Sequence, residues 1–67
     1  MEQKKLNELK KGDCFILKPI EEPKENQVWV RDHYNRDDKT FTCHSYDDLN
    51  RERFFKSSKV VFVGFTF

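Results

Sequence analysis

The sequence predicts a small, mainly β domain: five antiparallel strands in a bent, partly open barrel with a short N-terminal helix. Three observations predict it. The stretch 27–46, QVWVRDHYNRDDKTFTCHSY, holds two β-prone runs joined by a polar turn at 35–38. Asn and Asp suit such a turn because they tolerate unusual backbone angles and bond their own backbone. The C-terminal run KVVFVGFTF, rich in Val and Phe, is apolar on both faces, which is the pattern of a central strand. Finally, 67 residues make one domain, 1–67, and no more.

The mean hydropathy of −0.94 raises the question of disorder. Leu, Ile, Val and Phe supply 18 of 67 residues, aromatics 15%, and the net charge is only +1. Disordered chains combine low hydropathy with few aromatics and a large charge imbalance, so this chain is expected to fold. A core of this size leaves about 3–5 kcal/mol of net stability, and each large apolar side chain counts.

Residues 2–11, EQKKLNELKK, place Leu6 and Leu9 at i, i+3 among good helix formers, which predicts a short amphipathic helix capped by Gly12. So short a helix must dock through its leucines. A strand follows over 14–18, with Phe15 and Leu17 on one face and Cys14 and Ile16 on the other. Residues 19–26, PIEEPKEN, carry two prolines and form a loop in which Ile20 alone is expected to touch the core. In the hairpin, closure at 35–38 pairs Val30 with Cys43 and Val28 with Ser45. Val28, Val30, Phe41 and Cys43 then look inward, while Trp29, Arg31, His33, His44 and Tyr46 look outward. A slip by one residue would set Phe41 and Cys43 on the face of Arg31 and His33, which argues for the first register. A short strand over 52–56, a turn at Ser57 and Ser58, and a last strand over 59–67 complete the chain, with Gly64 available for a bulge.

The Gly12-Asp13-Cys14-Phe15 strand opening and the strand spacing resemble SH3-like barrels, without that family's aromatic and proline-binding motifs. The stretches LNELKKGDCFILKP, VWVRDHY, DDLNRERFFK and KVVFVGFTF resemble a group of short uncharacterised proteins of gut bacteria, their phages and mobile elements. That resemblance spans most of the chain and implies a fold but no activity.

Charge is abundant, at 37%, yet evenly mixed along the chain. A nucleic-acid binder usually concentrates positive charge, so this balance counts against that class. No apolar run is long enough for a membrane span, and two cysteines are too few for a disulfide framework, which makes a reducing cytoplasm the expected setting. Cys14, Cys43, His33 and His44 lack the close pairing of a zinc site, and Cys43 and His44, being adjacent on a strand, point to opposite faces. No metal and no cofactor are expected. A nucleophilic cysteine would need a positioned base, and no phosphate loop or paired-carboxylate motif is present, so the chain reads as non-enzymatic.

The outward face of the hairpin is the candidate binding site: Trp29, Arg31, His33, His44 and Tyr46. Trp, Tyr and Arg dominate binding hot spots because they bury large area at small entropic cost. The first expectation is a protein partner, with the chain a monomer or weak dimer; the second is single-stranded nucleic acid stacked on the same aromatics. Cover by the N-terminal segment is the alternative that leaves no open face at all.

Overall fold

The structure, a computed structural model, describes residues 1–66. Among them six strands form one antiparallel sheet: β1 (Glu2–Lys5), β2 (Cys14–Ile16), β3 (Val28–Asn35), β4 (Thr40–Ser45), β5 (Asp48–Lys56) and β6 (Val60–Val63). Their spatial order is β1-β6-β2-β3-β4-β5. β2 to β5 run as a meander, and β6 returns to lie between β1 and β2, pairing Phe62 with Ile16. The central place expected for the last strand is thus observed. It is shorter than expected, ending where Gly64 turns with φ +80°, and Phe67 lies outside the described residues.

The N-terminal helix is not formed, and the sheet has six strands where five were expected. Residues 2–5 are β1, followed by a 3₁₀ turn at Leu6–Glu8. An apolar central strand needs partners along both edges, and β1 supplies the second one to β6, from Glu2 opposite Val63 to Lys5 opposite Val60. A three-residue turn brings i and i+3 to one side, so the Leu6/Leu9 spacing fits a 3₁₀ turn as well as a helix. Both leucines are buried, as docking required. Gly12, with φ +92°, serves a tight turn instead of a helix end. There the Lys10 N–H donates to Asp13 Oδ2 at 2.8 Å, and the Gly12 N–H donates to the Arg31 carbonyl at 2.8 Å.

The hairpin of β3 and β4 forms with its turn over 36–39, but over residues 29–31 it is paired one position away from the expected register, and beyond a bulge two positions away. Val30 pairs with His44 and Arg31 with Cys43; after a bulge at Asp32 and His33, Tyr34 pairs with Phe41. Trp29 therefore shares the face of Phe41 and Cys43. The physical reason is size: an indole buries about 150–250 Å², far more than a valine. The bulge removes the cost of this register, because it leaves His33 exposed and brings the Tyr34 ring to 5.0 Å from that of Phe41. Arg31 lies over Phe41, its guanidinium carbon 4.0 Å from the ring centroid.

One core cluster results: Leu6, Leu9, Phe15, Trp29, Phe41, Cys43 and Val61. Phe55 of β5 packs edge-on against both Phe15 and Trp29, at 6.0 and 5.5 Å. Ile16 and Val28 are buried on the opposite face of the sheet, so neither side of β2 is wasted. The 17–27 segment contributes more than expected, since Pro23 is buried as well as Ile20 being half-buried.

Candidate functional site: a cationic cleft beside an edge strand

The five residues expected to share an outer face do not share one. Trp29 is 3% exposed and belongs to the core. Arg31 is half-buried over Phe41, and its Nε is buried without a hydrogen-bond partner. His33 projects from the bulge. His44 faces the other side of the sheet, its Nδ1 2.6 Å from the Asp32 carboxylate. Tyr46 is half-exposed beyond the end of β4, its N–H donating to the Val28 carbonyl at 2.9 Å. The correction follows from the register: a shift of one residue turns every side chain of the ribbon over.

What the fold does bring together lies at the rim of the core, where the 17–27 segment meets β5. Between Ser45 and His44 the β4–β5 pairing jumps, Ser45 lying opposite Asp48 but His44 opposite Glu52, so residues 49–51 bulge out. The bulge carries Arg51 over the core: its guanidinium donates to the Asn26 carbonyl at 3.3 Å and sits 5.1 Å from the Trp29 ring centroid. Arg53, two residues on, lies 5.8 Å from the same ring. With Lys18, Leu17, Ile20 and Trp29 they line an open cleft of about 230 Å³. That is below the roughly 300–1,000 Å³ of pockets that enclose a small-molecule ligand and suits one or two side chains.

The cleft is electrostatically one-sided. Lys18, Arg51 and Arg53 line it and no carboxylate does. Among the described residues the ion pairs are Lys4 with Glu2 and His44 with Asp32, so neither arginine has a carboxylate partner there. Both guanidinium groups lie within cation–π distance of Trp29, each contact worth about 0.5–1 kcal/mol at an exposed site. Lys18, Arg51 and Arg53 lie outside the hairpin and are not among the residues expected from the sequence. The signal was present in the Arg51-Glu52-Arg53-Phe54-Phe55 alternation, which puts Arg51, Arg53 and Phe55 on one face of a strand.

The cysteines are free thiols. Cys43 is fully buried, its S–H 3.8 Å from the Phe41 carbonyl oxygen, and burial pushes the thiol up from an ordinary 9.0 to about 11. Burial, helped by the Asp13 carboxylate, also raises Cys14, which is half-buried. The folded protein should therefore leave Cys43 untouched by thiol reagents near neutral pH, since the thiolate is the reactive form. Raising the pH from 9 to about 11 should also destabilise the fold, because the unfolded chain has released a proton that folded Cys43 still holds. Urea titrations across that range check this, and Cys43→Ala should flatten the decline.

Among the described residues no three His, Cys, Asp or Glu side chains converge to hold a metal ion, and no helix is long and apolar enough to cross a membrane. Compared with protein-family models, with curated proteins and with solved structures, the chain matches none.

Proposed function

We propose that this protein is a small non-enzymatic interaction module of the cytoplasm, an SH3-like, partly open barrel that holds an acidic segment of a protein partner in the cleft of Lys18, Arg51 and Arg53. The observation that carries this reading is three cations around an apolar floor with no carboxylate among them. Two of them gather over one indole, which places their guanidinium groups side by side for a carboxylate. The strand order β6-β2-β3-β4-β5, in which the last strand returns to the first of a meander, supports the barrel. A non-enzymatic role agrees with the burial of Cys43 on the side of the sheet away from His44.

Stacking of nucleobases needs an open aromatic face. Trp29 is buried under its arginines, which favours protein over single-stranded nucleic acid. The test is a chemical-shift titration with a glutamate-rich peptide and, separately, with a thymidine oligonucleotide. The peptide should move the Trp29 indole and the Arg51 and Arg53 signals, and each charge reversal, Arg51→Glu or Arg53→Glu, should weaken it roughly tenfold. Tighter binding of the oligonucleotide, or no response at these signals, would refute the reading.

A further inference from the structure

The cleft opens beside a strand edge. β5 ends the sheet, with β4 as its hydrogen-bonded neighbour, and at nine residues it is the longest strand among those described. The other edge, β1, is four residues of charged and polar side chains, a length at which edge pairing gains little. No other described strand pairs with the free side of β5, where the Asn50 N–H turns back to Asp48 Oδ1 at 3.0 Å, and its side chains from 48 to 54 are exposed. Arg51 and Arg53, two residues apart, both lean from it toward the cleft over Trp29. Resting on the cleft reading above, we infer that the acidic partner segment binds as an added antiparallel strand on the free edge of β5, with carboxylates at alternate positions reaching Arg51 and Arg53.

Three features choose this occupant. Alternate side chains of an added strand fall on one face, so two carboxylates spaced i, i+2 match two arginines spaced i, i+2. A second copy of this chain lacks this match in the registers centred on the arginines and on the residue between them. Self-pairing of β5 about its centre opposes Glu52 to Glu52 and Arg51 to Arg53, pairing about Arg51 or Arg53 opposes each arginine to itself, and like charges directly opposite destabilise a ladder. In those registers the arginines discourage self-association, and they favour an acidic strand. A nucleic acid would use the charges but leave the backbone of β5 unpaired.

The experiment uses the whole chain and a peptide of about eight residues alternating Glu with Val or Thr, the length of an ordinary strand. Two further peptides carry N-methyl groups, one on the odd and one on the even amides. An added strand pairs along one of its edges only, so one methylated peptide should bind about tenfold more weakly, two lost hydrogen bonds sufficing, while the other binds as the parent does. The parent should also slow hydrogen exchange of β5 amides. Equal binding of all three peptides with shifts at Arg51 and Arg53 would overturn strand addition and leave the cleft reading standing. Failure of every peptide to bind would overturn both.

Discussion

Trp29→Ala should leave a chain that no longer folds. The side chain is 3% exposed, pairs across the sheet with Phe15 and Ser45, and meets Phe55 edge-on. Truncating a buried Trp or Phe to Ala costs about 3–5 kcal/mol. That matches the whole stability expected of a domain this small, about 3–5 kcal/mol. The loss extends to the cleft, since Arg51 and Arg53 would have no ring to rest on. Amide shift dispersion and the far-ultraviolet melt report the outcome without relying on the only tryptophan. Trp29→Phe, which keeps a ring against Phe55, should fold with a lowered midpoint. A Trp29→Ala variant with native dispersion would show that the indole is peripheral after all.

The elements that could be read from the sequence were those governed by local chemistry. The polar turn after Asn35, the Ser57-Ser58 turn and the two-sided apolar run from Val60 each fix a feature within a few residues, and each is observed. Register is different, because it depends on which of two faces gains more from burial. Counting Val28, Val30, Phe41 and Cys43 as one face gave four apolar residues and left a tryptophan outside. The fold instead buries Trp29 with Phe41 and Cys43, and it hides Val28 with Ile16 on the opposite side. Two bulges make this possible, at Asp32–His33 in β3 and at 49–51 in β5, and neither is marked by a glycine. The cleft inherits that difficulty. The alternation from Arg51 to Phe55 gives the face, but Arg51 reaches Trp29 because residues 49–51 leave the ladder, and that offset is not written in the spacing.

The N-terminal segment makes the second large prediction, since its role changes with its conformation. A docked surface helix would contribute two leucines and little else. As β1 and a 3₁₀ turn it also covers one edge of the most apolar strand and ties itself to the β5–β6 turn, through Leu6 N–H to the Lys59 carbonyl and Asn7 N–H to the Ser57 carbonyl, both 2.9 Å. Leu6 is fully buried, so Leu6→Ala should remove about 2–5 kcal/mol and take the urea midpoint close to zero, whereas Leu9→Ala, at a site 8% exposed, should cost less. Deleting residues 1–9 should do something that neither substitution does. It bares the edge of β6, a strand with no charged residue from Val60 to Val63, and an exposed apolar edge is a template for pairing between chains. Concentration-dependent aggregation of the deletion variant, measured by light scattering beside a Leu6→Ala variant that unfolds without aggregating, is the expected contrast. Soluble, folded protein after the deletion would mean that β6 does not need β1, and the six-stranded sheet would lose its physical basis.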